Sequence, residues 1–193
     1  NSKPVRNKTY SQTKVEEIYK ELETSDPLLL LFLKFVSYSF LRPIEVVRLK
    51  VKDINLKDKT LTVRAKNKAL KTKIIPDILI NELNALDLKN PEDYLFTPKG
   101  VGKWEREESG KRKWFSDRFN KVKKKLGIGS DYTVYSFRHT SITKIYRELR
   151  KENSMSETEN KVMLITGHST LTALQKYLRD IDAELPEDYS DLL

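Results

Sequence analysis

The sequence predicts a mainly helical α+β domain with a small antiparallel β-sheet or hairpin. Apolar residues recur at three- and four-residue spacing through most of the chain, whereas residues 60–76 alternate apolar with polar. Prolines and glycines stand where the helical segments should begin and end. The 193 residues, 38% of them hydrophobic, suffice for a core and fit a single domain.

Residues 1–10 are polar and aperiodic and read as a linker or the end of a longer protein. Val15, Ile18, Tyr19 and Leu22 follow helical spacing. Ser25-Asp26-Pro27 then supplies a cap and a first-turn proline for a largely apolar core helix reaching Phe40. Pro43 opens a short helix bearing Ile44, Val47 and Leu49. In the alternating stretch, Leu61 and Val63 precede a basic, polar turn and then Ile74-Ile75, which predicts a β-hairpin. Helical patterns resume at 77–86 and at Trp114, Phe115, Phe119, Val122 and Leu126, where Gly127 and Gly129 stop the helix. Residues 98–113 read as a long exposed loop. A long helix contains residues 137–149, and Ser156-x-x-Glu159 resembles a capping box before Val162, Leu164 and Ile165. Gly167 ends that helix, and Ser169 or Thr170 caps the next, which carries Leu171, Leu174 and Tyr177.

Composition narrows the function classes. A formal net charge of +9 favours a polyanionic partner without naming it. Residues 99–125 concentrate eleven Lys/Arg against four acids, whereas 180–193 hold six acids and no base. Phosphates would repel that tail, which is expected to pack on protein. Without cysteine there is no disulfide or thiolate metal site, and two histidines argue against a His-rich metal centre. The longest apolar run, residues 28–33, falls far short of the roughly 20 needed to span a bilayer. No signal-peptide pattern opens the chain, so a cytoplasmic protein is expected.

Three segments carry the chemistry: Leu41-Arg42-Pro43-Ile44-Glu45, Tyr135-Ser136-Phe137-Arg138-His139-Thr140, and Thr166-Gly167-His168-Ser169 with Tyr177 nine residues after His168. Taken singly, each has an ordinary structural reading. Arg42 precedes a proline, which keeps it out of the helical region in a turn whose free N–H groups favour anions. Glu45 can orient its guanidinium or simply complete the helix start. Arg138 and His139 share a helix whose Phe137, Ile142 and Ile145 face the core, so a merely structural pair is open there too. Tyr177 lies at helical spacing from Leu171 and Leu174 and is one of nine tyrosines.

In order and together, these segments resemble the tyrosine recombinase, or phage integrase, family over about residues 28–180. That family shows an Arg-x-x-Glu segment, a His-x-x-Arg-His segment, a Gly-His pair and a Tyr nine residues beyond it. The resemblance implies a catalytic-domain-like helical bundle over residues 11–180 with residues 181–193 as an acidic tail that could dock on a neighbouring protomer. It implies catalytic roles for Arg42, Lys66, Arg138, His168 and Tyr177, supported by Glu45, Tyr135 and His139. Tyr177 would attack a DNA phosphodiester, with no metal or other cofactor, to give a 3′-phosphotyrosyl intermediate. Two guanidiniums suit the negative charge gained by the non-bridging oxygens. A lysine in the hairpin would protonate the leaving 5′ oxygen. Lys66 is favoured and Lys68 second, among Arg64, Lys71 and Lys73, whose other reading, with Lys111, Arg112 and Lys113, is contact with the DNA backbone. The chain departs from the family pattern at Tyr135, where a His is usual; Tyr can donate a hydrogen bond but is a poor general base at neutral pH.

The implied partner is double-stranded DNA, bound by a protein that is monomeric when free and tetrameric on two duplexes. Such a protein would be a DNA-associated one of bacterial or phage origin. An additional N-terminal DNA-binding domain, common in the family, has no room here, so a catalytic fragment is expected. Two rival readings are a type IB topoisomerase and a non-catalytic DNA-binding module.

Overall fold

The structure, a computed structural model, describes residues 8–64 and 70–193. Its first helix, α1 (Gln12–Ser25), starts at Ser11, whose hydroxyl accepts the Lys14 N–H, and buries Ile18 and Leu22. Asp26 caps α2 (Pro27–Tyr38), with Pro27 in the first turn where its missing N–H costs nothing. Leu29, Phe32, Leu33, Phe35 and Val36 are fully buried, as expected of a helix apolar on most sides. Phe32 stacks on Phe115 with centroids 4.0 Å apart, which joins α2 to a later helix. Before α1, Tyr10 is no linker residue: it is 5% exposed, its N–H meets Thr140 Oγ1 at 2.7 Å, and its ring packs on Tyr132 and Phe137.

The short α3 (Pro43–Arg48) leads through a 3-10 turn into an antiparallel sheet of order β1 (Ile54–Asn55), β2 (Thr60–Arg64), β3 (Leu70–Ile74). The β2–β3 hairpin is therefore present, but its inward face is unexpected. Leu61 pairs with Lys73 and Val63 with Lys71, so the basic residues of β3 share the face of two buried apolar ones. Leu70 and Ile74 point out, at 67% and 75% exposure. With a side-chain period of two, one register decision reverses a whole strand.

After α4 (Asp77–Asn84), a second antiparallel pair, β4 (Tyr94–Thr97) and β5 (Gly100–Gly102), occupies part of the expected loop. Residues 103–107 remain irregular, and the last part of the expected loop is helix, because α5 (Glu108–Leu126) begins well before its first aromatic residue. Gly127 closes α5 at φ +65°, a conformation that glycine adopts without strain. Next come α6 (Val134–Arg150), α7 (Met155–Thr166) and α8 (Leu171–Asp180). The capping box of α7 is Ser154 with Glu157, two residues earlier than the Ser156/Glu159 pair. Glu159 is instead buried against Gln175. Thr170, rather than Ser169, caps α8.

Two apolar clusters result. The larger surrounds α2; the smaller, with Ile142, Tyr146, Val162, Leu174 and Leu178, lies under α6, α7 and α8. Helix α6 serves both, giving Phe137 to the first and Ile142 and Tyr146 to the second. The side chains between them on this helix, Arg138 and His139, sit at the junction. Among the described residues no helix is long and apolar enough to cross a membrane.

Candidate active site

Arg42 occupies the cap of α3 in extended conformation, φ −71° and ψ 148°. Glu45, 7% exposed, accepts the Arg42 backbone N–H at 2.8 Å through one oxygen and the guanidinium at 3.2 Å through the other. The guanidinium is thereby aimed while its side chain stays 46% exposed. It opens on a cleft of about 710 Å³ shared with Arg112, Lys113, Thr133 and Tyr135.

Arg138 is buried, 1% exposed. Its Nε donates to the Phe40 carbonyl at 2.8 Å and one terminal nitrogen donates to Tyr135 Oη at 3.1 Å. Neither partner is an anion. Among the described residues this buried guanidinium is held by neutral acceptors, which leaves it electrostatically incomplete, and a docked phosphate would complete it. Its Cζ lies 5.2 Å from the centre of the Tyr177 ring.

The two histidines flank that ring, with centroids at 5.3 Å for His139 and 5.2 Å for His168. His139 Nδ1 meets Tyr177 Oη at 2.6 Å, and His168 Nδ1 meets Thr166 Oγ1 at 2.6 Å. Burial first, and then the charge of Arg138, pulls both imidazoles down to about 4; Arg42, Lys71 and Lys73 add to the effect at His168. Both are therefore neutral near pH 7. His168 then keeps one N–H and uses Nδ1 on Thr166, which leaves Nε2 for another partner. Burial pushes the Tyr177 hydroxyl upward, with Arg138 and Arg42 opposing it. Tyr177 thus rests as a phenol until a base or added positive potential takes its proton.

Arg42, Arg138, His139, His168, Tyr135 and Tyr177 thus form one constellation, drawn from α3, α6, the α7–α8 turn and α8. Tyr135 serves here as the acceptor that orients Arg138, with its ring edge-on to His139. The expected basic surface divides. Arg64, Arg112 and Lys113 are exposed, although Lys113 pairs with Asp117. Lys71 turns to the Gly167 carbonyl at 2.5 Å. Lys73 and Lys111 are buried and so are not placed to lie along a DNA backbone: Lys73 meets three carbonyls, and Lys111 sits 3.2 Å over the Tyr94 ring. Lys66 and Lys68 lie outside the described residues. Two contributors had no signal in the sequence, since the Phe40 carbonyl is backbone and Thr166 is one threonine among many polar helix residues.

Residues 8–184 match the family model described as the phage integrase family. The chain belongs to the phage integrase family. No curated protein gives a significant match to it. Among solved structures, this family member resembles a lambda integrase dimer bound to a COC′ core site, with 17% identity, TM-score 0.69, and coverage of 98% of this chain and 53% of that one. For the XerA recombinase the identity is 20%, the TM-score 0.62 and the coverage 97% and 62%. An integrase from mycobacterium phage Brujita gives 14%, 0.58, and 95% and 58%. At these identities the likeness establishes the mainly helical fold with its small antiparallel sheets. The phage integrase family member spans 53% to 62% of the length of these three.

Proposed function

We propose that this domain cuts and rejoins double-stranded DNA as a site-specific recombinase, with Tyr177 as nucleophile. The observation that carries the reading is the buried Arg138 beside the Tyr177 ring, without a carboxylate partner among the described residues, with Arg42 and His168 as further donors near the same ring. Tyr177 attacks the scissile phosphorus, the 5′ oxygen leaves, and a 3′-phosphotyrosyl linkage conserves the bond energy. Arg42, Arg138 and His168 neutralise the charge gained by the non-bridging oxygens. A hairpin lysine, Lys66 or Lys68, protonates the leaving oxygen. Attack by the 5′ hydroxyl of another strand reverses the step and exchanges strands. The lambda integrase relative is bound to a core site, which supports DNA as the substrate class.

Assembly follows from the same reading. Exchange between two duplexes calls for four protomers. The tail past Glu184 presents Leu185, Tyr189, Leu192 and Leu193, all exposed, on an acidic segment. An apolar groove of about 500 Å³ between α2, β3, α4, α6 and α7, lined by Phe40, Ile74, Ile78, Ile145, Leu164 and Lys144, offers an apolar surface and a positive charge. The tail of one protomer fits the groove of the next.

The test is trapping on a nicked duplex, from which the strand beyond the nick diffuses away after cleavage. The parent chain is expected to accumulate a covalent protein–DNA adduct and Tyr177→Phe none. An adduct with Tyr177→Phe would reassign the nucleophile.

A further inference from the structure

The phosphate chemistry leaves Lys73 unused, yet the fold buries it. It is 8% exposed, and its Nζ donates to the carbonyls of Ser39 at 2.6 Å, Phe40 at 3.3 Å and Thr166 at 3.2 Å. An ammonium has three N–H bonds, and each finds an acceptor. Burial, followed by the charge of Arg138, pulls its affinity for the proton down to about 7, whereas the three carbonyls match the charged form. A methionine would fill the same space without placing a charge beside Arg138, so packing gives no reason for lysine.

Two of the three carbonyls belong to residues that orient site side chains. The Phe40 carbonyl also accepts Arg138 Nε at 2.8 Å, and Phe40 itself stands at φ +53°, a conformation that needs support in a bulky residue. The Thr166 hydroxyl bonds His168 Nδ1 at 2.6 Å. Lys71, two residues away on the same face of β3, adds a bond to the Gly167 carbonyl. The end of α2 aims the arginine, the end of α7 aims the histidine, and one ammonium joins those ends.

We propose that Lys73 is a positioning residue: by clamping the C-terminal ends of α2 and α7 together, it sets Arg138 and His168 against a single phosphate. This rests on the reading of Tyr177 as nucleophile. It also separates Lys73 from its neighbours in the hairpin. With every N–H engaged by a carbonyl, it can neither hold the DNA backbone nor protonate the leaving oxygen without opening the clamp.

The experiment uses the full chain with Lys73→Met and Lys73→Gln. It reads the rate of adduct formation at saturating nicked duplex, the DNA affinity, and, without DNA, the ¹⁵N shifts of the two imidazoles. Lys73→Met is expected to slow attachment on the order of 100-fold, the scale of losing one preorganised donor, with little change in affinity. Lys73→Gln, which keeps amide donors, should recover part of that loss. In a His168→Ala background the penalty should shrink, because side chains acting as one unit are not additive. The His168 Nδ1 shift should move and that of His139 should stay. A rate within about twofold of the parent, or the whole penalty persisting without His168, overturns the proposal. So does an unmoved His168 shift. If Lys73→Met does not fold, the rate and shifts of Lys73→Gln decide. If even the parent forms no adduct, the nucleophile reading fails, and the imidazole shifts still decide the clamp.

Discussion

Arg138 is a guanidinium at 1% exposure whose described partners are a carbonyl and a phenol, so its electrostatics are completed by what binds. Lysine cannot reproduce its planar fork. Arg138→Lys is therefore expected to slow single-turnover attachment roughly 100- to 1000-fold while weakening DNA affinity far less, read by rate and by binding titration. His139 and His168 set a second expectation. Their pKa values are held near 4 in the fold, below the unfolded value of about 6.5. Above pH 6.5 both states are neutral and stability is full. As the pH falls from 6.5 through 4, the unfolded chain takes up protons that the fold refuses, and stability is lost. Urea midpoints measured across that window should fall, by up to about 3 kcal/mol per histidine in free energy, and His139→Gln should remove part of the drop. At this scale Arg42, Arg138, His168 and Tyr177 were legible because their spacing repeats a family pattern. Lys73 was not, because a lysine in a basic hairpin reads as solvated.

At the scale of elements, helix ends place the chemistry. Arg42 caps α3, Thr166 and Gly167 end α7, and Tyr177 follows from the start of α8. Apolar periodicity located nearly all the helices, since an amphipathic face records which side is buried. It missed the first turns of α5, where Glu108, Lys111, Arg112 and Lys113 give no apolar stripe and tertiary packing turns Lys111 onto Tyr94. The β4–β5 pair, with two glycines in the three residues of β5, had no alternation to read. The capping box of α7 makes a local prediction. Ser154 accepts the Glu157 N–H, and Glu157 accepts the Ser154 N–H in return. Ser154→Ala should cost about 1 kcal/mol. Calorimetry should show a melting point lower by roughly 2–4 °C with attachment unchanged, since Ser154 lies at the far end of α7 from His168.

Across the whole molecule, the acidic tail divides at Glu184. Arg147 donates to the Asp182 and Ala183 carbonyls, Arg150 pairs with Glu184, and Ala183 is fully buried, so residues 181–184 belong to this fold. Deleting residues 185–193 should leave the melting point unchanged and weaken assembly on paired sites. Leu164→Asp in the apolar groove, a change at an 85% exposed position, should do the same, with assembly read by analytical ultracentrifugation on DNA. Assembly that survives both changes would remove the tail and groove from the interface. By itself, the sequence determined the fold class and most helix positions and pointed to the candidate site residues that the fold brings together, because burial periodicity and motif spacing are local properties of the chain. Only the tertiary structure decided which cations face solvent and which carbonyls hold Arg138 and Lys73. Those depend on strand register and on backbone groups brought together from distant segments, and no side-chain pattern records either.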